Sequence, residues 1–289
     1  MKKKIYILTT LVALMILSYC TYAFDFGKVL QQTVTGAQQL AEAAKDITPG
    51  EEHYIGRAVA AMILSKYPLM SNPGLTRYLN EVGLLVAYSS ERPETFGGYH
   101  FAVLNSDEPN AFACPGGLIL VNKGLLKQIQ NEDELAGVLG HEVAHVADRD
   151  GIKAIKKSRW TKFAFYTAGE VGKHYTPQEV SQLVGEFQNV VTDVAKRVMD
   201  AGYSQKDEKE ADEKGMIFAA NAGYNPNALI DFINHEAAAG IGHATGPFSS
   251  HPKHDIRVMN LTKVKDSLGS SAATEAIRTA RFKAAIAGL

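Results

Sequence analysis

Cysteine is scarce. The 289-residue chain holds two, Cys20 and Cys114, too few for the disulfide framework of a small secreted scaffold. An excess of charge of one sign is also lacking, with 30 basic side chains against 31 acidic ones. Nucleic-acid binders neutralise phosphate with a basic surplus, so no nucleic-acid partner is expected. Past residue 23 no apolar run is long enough to cross a bilayer as a helix, which excludes a multi-span membrane protein. No internal repeat and no low-complexity run occurs. What is present is ordinary globular composition, 46% hydrophobic and 21% charged. The length lies near the upper end of what one domain holds.

The N-terminus has its own pattern. Lys2, Lys3 and Lys4 precede an apolar run from Ile5 to Cys20, and Ala23 supplies a small residue after it. That anatomy predicts a secretory signal peptide over residues 1–23. Two other readings stand beside it. The run is only slightly short for an uncleaved membrane anchor. Leu17-Ser18-Tyr19-Cys20 resembles a lipidation site at Cys20, although Tyr19 stands where a small residue is expected. All three place the body of the protein outside the cytoplasm, and two of them place it beside a membrane. If the leader is cleaved, Cys114 is left alone. Residues 24–48 are Gln/Ala-rich and read as a linker or loose helix.

Helical signals dominate the rest. Thr48-Pro49-Gly50-Glu51 opens a helix that Pro68 stops, and Asn72-Pro73 opens a second, to about Ser89. The period then changes to two, predicting strands over Tyr99–Leu104 and Leu118–Val121. Between them, Asn110, Ala111, Phe112 and Ala113 lead into Cys114-Pro115-Gly116-Gly117. The proline suits an edge strand, so a small antiparallel sheet with one open edge is expected. Asn131 caps a long helix carrying residues 135–148. Further helices are expected over 176–201, 205–222 and 227–239, then a loop over 240–252. The expected fold is mainly α with a small antiparallel sheet, an α+β arrangement. The main domain covers 49–265, and a C-terminal helical tail covers 266–289.

The chemistry concentrates in His141-Glu142-Val143-Ala144-His145. Residues four apart are about 40° apart around a helix, so both imidazoles project from one face. That spacing lets two nitrogens reach one zinc ion, and Glu142 lies beside them as a general base for a metal-bound water. The same helix has an apolar stripe at Leu135, Leu139, Val143 and Val146. It also has a bare side at Gly137, Gly140, Ala144 and Ala147, suited to close packing. A third ligand is needed. Glu208 is the best candidate, because its helical face continues in Ala211, Gly215 and Ala219, all small. Asp212, one turn on, is placed to accept the second ring proton of a ligating histidine. The alternation of acids and bases around Glu208 fits a solvated charge run equally well.

These motifs resemble the HtpX-like zinc metallopeptidases, the family that also holds the CaaX prenyl proteases. The resemblance runs over roughly residues 50–260. Its order is Asn110-Ala111-Phe112 with Pro115-Gly116-Gly117, Gly124-Leu125-Leu126, Glu134-Leu135-Ala136 into the histidine motif, Glu208 with Ala211-Asp212, Ala222-Gly223-Tyr224, and His251-Pro252 with Arg257. The chain lacks the spanning helices of membrane-embedded members and looks like the secreted, periplasmic BepA-like branch. The resemblance implies a zincin-type fold with one zinc ion held by His141, His145 and Glu208, and Glu142 as catalytic base. It implies that Asp212 partners a ligating histidine. The edge strand Asn110–Ala113 would border the cleft and pair with an extended peptide. His251 and Arg257 match a motif read as steadying transition-state charge or the loop beside the metal. Asp150 stands where the family often has histidine, which leaves its role open. The implied activity is endopeptidase cleavage of unfolded or misassembled envelope proteins. The alternative is a chaperone-like assembly factor that uses the same cleft with little proteolysis. Nothing in the sequence fixes the oligomeric state.

Overall fold

A computed structural model of the chain describes residues 46–153, 155, 177–240, 253–268 and 275–289. The expected leader, the linker before Asp46 and His251 lie outside these residues. Two compact units make up the chain, and the larger, residues 46–159 and 184–289, contains the core and the site.

Local chemistry explains where the helices begin. Helix α1 (Pro49–Lys66) starts in a reciprocal cap: the Glu51 N–H donates to the Thr48 hydroxyl, and the Thr48 N–H donates to the Glu51 carboxylate. Two otherwise orphaned donors are thereby satisfied. Helix α2 (Pro73–Tyr88) starts where the Leu75 N–H donates to the Asn72 side chain. Three strands follow: β1 (His100–Leu104), β2 (Ala111–Cys114) and β3 (Leu118–Asn122). Past the short α3 (Lys123–Leu126) comes α4 (Glu132–Ala147), capped by Asn131. The short α5 (Asp150–Lys153) and then α6 (Pro177–Lys196) come next. A π-helical turn, Arg197–Ala201, ends α6. Helices α7 (Gln205–Asn221), α8 (Asn227–Ala238), α9 (His254–Lys265) and α10 (Glu275–Ile286) complete the set among the described residues.

The sheet corrects the sequence reading. Its order is β1-β3-β2, with β2 antiparallel to β3 but β1 parallel to it. It is therefore mixed. A two-residue period tells which faces are buried, and it is silent on which way a neighbouring strand runs. Strand β2 lies at the outer edge of the sheet, displaced one residue from the expected Asn110–Ala113, and all four of its residues are buried. The edge of β1 is closed instead. The Asn80 side chain accepts from the Phe101 N–H at 3.0 Å and donates to the Phe101 carbonyl at 2.6 Å, and the Met70 N–H donates to the Val103 carbonyl.

Helix α4 is the centre of the core and is buried along almost its whole length. It packs most extensively on α7 and also meets α2, α8, α10 and β2. The contact with α7 is backbone on backbone. A Cβ on Gly140 would lie 2.4 Å from the Gly215 carbonyl oxygen, and one on Gly215 would lie 2.5 Å from the His141 nitrogen. The bare faces read from the sequence are the faces that meet. Gly215→Ala is accordingly expected to force the two backbones apart and to destabilise the protein by about 1–3 kcal/mol, the range for overpacking. Urea unfolding of the variant beside the parent measures this, and a midpoint unchanged at equal slope would contradict it.

The N-terminal turn of α4 carries three buried acids, and each has partners. Tyr78 and Tyr224 donate to Glu132, and Arg281 of α10 grips the same carboxylate with both nitrogens. Arg278, also on α10, pairs with Asp133 at 2.8 Å. The segment expected as a C-terminal helical tail thus inserts Phe282 into the core and holds the start of the histidine-bearing helix.

Candidate metal centre

His141 and His145 project from α4 toward α7, which brings Glu208 to them. Each ring is fixed from behind. The Nδ1 of His141 lies 2.9 Å from Asp212 Oδ1, and the Nδ1 of His145 lies 2.8 Å from Asp150 Oδ2. A carboxylate can only accept, so each Nδ1 carries the hydrogen. Both Nε2 atoms then turn lone pairs toward each other across 3.1 Å. Two lone pairs at that distance repel unless a cation sits between them. Glu208 completes the group, with its oxygens 3.6 Å from His141 Nε2 and 3.9 Å from His145 Nε2. Among the described residues, His141, His145 and Glu208 form the group able to hold a metal ion, their ligand atoms lying within 4.8 Å of one another. Two imidazoles and a carboxylate with carboxylate-backed rings are a donor set that suits a divalent transition metal.

The pattern of peptidase family M48 matches residues 73–265, more than half of the chain and all of the metal group. The chain belongs to peptidase family M48. Among similar proteins, Beta-barrel assembly-enhancing protease of Escherichia coli (strain K12) is 27% identical over 215 residues, which is 73% of this chain and 43% of that protein. Mitochondrial metalloendopeptidase OMA1 of Arabidopsis thaliana is 33% identical over 162 residues, covering 54% of this chain and 30% of that protein. Metalloprotease YcaL of Escherichia coli (strain K12) is 28% identical over 162 residues, covering 56% and 60%. The matched stretch spans less than half the length of the assembly-enhancing protease.

Electrostatics in this M48 site follow from burial and pairing. Burial alone would raise the Asp212 carboxyl, but Arg257 and His141 hold it well below the usual carboxylate range. Burial dominates at His141 and lowers its imidazole. Burial also pulls His145 down, but the bond to Asp150 and the charge of Glu208 carry it above the usual value. Glu142, 7% exposed, lies near Cys114 and Tyr203. The thiol and the phenol are both pushed up, first by burial and then by Glu142. Cys114 is thus a protonated, buried thiol, a packing residue.

The sequence reading gives Arg257 a role at the transition state or in the loop beside the metal. The structure places its guanidinium elsewhere: Nε donates to Asp212 Oδ2 at 2.8 Å and a terminal nitrogen donates to Oδ1 at 2.7 Å. Its charge is committed to the carboxylate behind His141. Asp212 in turn lies against the His141 Nδ1. Two contacts escaped the sequence. Asp150 lies five residues after His145 and past a helix end, so no helical spacing links them. The ring of Tyr203 lies against the His145 ring, with centroids 4.2 Å apart. Its place directly before the Ser204 cap was the available signal.

Proposed function

We propose that this M48 chain is a zinc-dependent endopeptidase acting on extended polypeptides, with unfolded or misassembled envelope proteins as its substrates. The observation that carries the reading is the convergence of His141, His145 and Glu208 with Glu142 beside them. The names of its relatives, a protease and two metallopeptidases, support the same chemistry. The charged start and apolar run before Ala23 support export to the periplasm. No helix among the described residues is long and apolar enough to cross a membrane.

In this reading His141, His145 and Glu208 hold one zinc ion. Zinc supplies a Lewis acid that polarises the scissile carbonyl and acidifies a water. Asp212 and Asp150 keep both Nδ1 atoms protonated, so both Nε2 lone pairs stay available. Glu142 takes the proton of the attacking water and passes it to the leaving amine. Substrate adds to the outer edge of β2. The Asn122 N–H donates to the Asn110 carbonyl, so Phe112 and Cys114 also bond inward to β3, and the backbone groups of Ala111 and Ala113 face outward. The Ala111 N–H is taken by the Asn110 side chain. Ala113 therefore offers both a donor and an acceptor to an extended peptide, while Asn80 closes the opposite edge.

The test is cleavage of an unfolded protein such as reduced casein by purified protein, before and after a zinc chelator and then with zinc restored. Cleavage lost with the chelator and regained with zinc is expected. Chelator-resistant cleavage rejects the metal. Stoichiometric zinc without cleavage supports the assembly-factor reading instead.

A further inference from the structure

One fully buried acid stands outside both the metal group and the stretch 73–265 that carries the family match. Glu52, on the first turns of α1, is 0% exposed. Its carboxylate gathers three separate pieces of chain. Arg92 binds it with two nitrogens, at 2.9 and 3.1 Å, and also donates to the Val146 carbonyl in the last turn of α4. The Arg149 Nε lies 2.9 Å from Glu52 Oε2. The Gly116 N–H donates to Glu52 Oε1 at 3.2 Å.

Each of these pieces borders the site. Arg149 lies between the end of α4 and Asp150, the residue that accepts from His145. It has φ 59, and among the described residues it is the one non-glycine residue with positive φ. Such a conformation is unfavourable for a side chain with a Cβ and needs support from its surroundings. The support is visible: the Glu52 carboxylate faces the Arg149 Nε as an ion pair without hydrogen-bond alignment, and a terminal nitrogen donates to the Ile47 carbonyl at 2.5 Å. The left-handed residue turns the chain out of α4 and into α5, so that Asp150 faces back to His145. Gly116 lies two residues past Cys114, at the end of the β2 edge. Its N–H is held by Glu52 and its carbonyl by the Thr95 hydroxyl at 2.9 Å. Helix α1 lies directly on this turn, where a Cβ on Gly56 would come within 1.8 Å of the Pro115 carbonyl oxygen.

We infer that Glu52 is a positioning residue for both halves of the site. Through Arg149 it aims Asp150 at His145, and through Gly116 it fixes the end of the strand that receives substrate. The inference rests on the zinc-peptidase reading above. It gives α1 a function that the family match does not reach.

The experiment measures zinc affinity by competition with a chromogenic chelator, together with kcat and KM on an unfolded substrate. Glu52→Gln keeps the shape and removes the charge. It is expected to lose about tenfold in zinc affinity, the low end for changes behind a metal ligand, and to raise KM. Glu132→Gln is the comparison, since that acid is equally buried at the start of α4, the end away from Arg149. A merely structural role predicts equal effects, whereas positioning predicts that Glu132→Gln keeps zinc affinity within about threefold. Arg149→Gly adds a coupling test. Glycine takes positive φ freely, so in that background Glu52→Gln is expected to change zinc affinity by less than about threefold.

Parent-like zinc affinity in Glu52→Gln overturns the inference, as does equal loss in Glu132→Gln or in both backgrounds. If Glu52→Gln does not fold, Arg149→Val against Arg149→Gly decides. Valine resists positive φ, so weaker zinc binding by the valine variant supports the inference and equal binding overturns it. A parent that takes up no zinc rejects the metal reading, and this inference with it.

Discussion

Glu142→Gln is expected to retain its full zinc content and to lose hydrolysis. Glutamine matches glutamate in size, and position 142 is buried on a helix whose packing is otherwise complete. His141, His145 and Glu208 are untouched, so the metal group stays intact. What disappears is the proton acceptor. A positioned general base contributes about 10²–10⁴-fold, and the rate on an unfolded substrate should fall by that factor. Zinc content measured on the same sample separates lost chemistry from lost metal. Near-parental cleavage removes Glu142 from the base role, and loss of zinc makes it a structural residue of the site.

The second large effect concerns Glu208. Its replacement by alanine should release the metal, while Glu210→Ala should leave it bound. Glu208 is 1% exposed, between the two imidazoles and the start of α7. Glu210 is about 200° away around the helix, half exposed, and paired with Lys206 at 3.4 Å. The two variants remove the same charge from the same segment, so a general effect of net charge cancels between them. The loss in Glu208→Ala should exceed the roughly 10–100-fold typical of removing a carboxylate behind a ligating histidine. Equal zinc retention in both variants excludes Glu208 from the metal group.

The sequence was informative where the physics is local. Thr48 with Glu51 and Asn131 with Glu134 each close within one helical turn, and both caps stand where the residues place them. The meeting of α4 with α7 was also legible, because glycine and alanine at helical spacing admit close backbones and little else. Strand direction was not, because side-chain alternation reports which face is buried and not which way a neighbouring strand runs. The partner of Arg257 was not legible for a related reason. A guanidinium near a metal motif suits substrate or a buried carboxylate equally well, and only the approach of α9 to α7 decides. Glu52 was invisible. An acid in the first turn of a helix reads as complement to the helix dipole, and its partners lie 40 to 97 residues further along the chain.

The grip of α10 on the start of α4 sets an order of events during biogenesis. Arg281 follows Glu132 by 149 residues. Ribosomes add about 5–20 residues per second, so the histidine helix waits roughly 7–30 s for the arginines that neutralise its buried acids. Until then its first turn holds carboxylates with no countercharge from α10, in a place that becomes the interior. A nascent chain therefore carries His141, His145 and Glu208 before α10 can hold the start of α4. Packing of the histidine helix is thus tied to arrival of the distal helix.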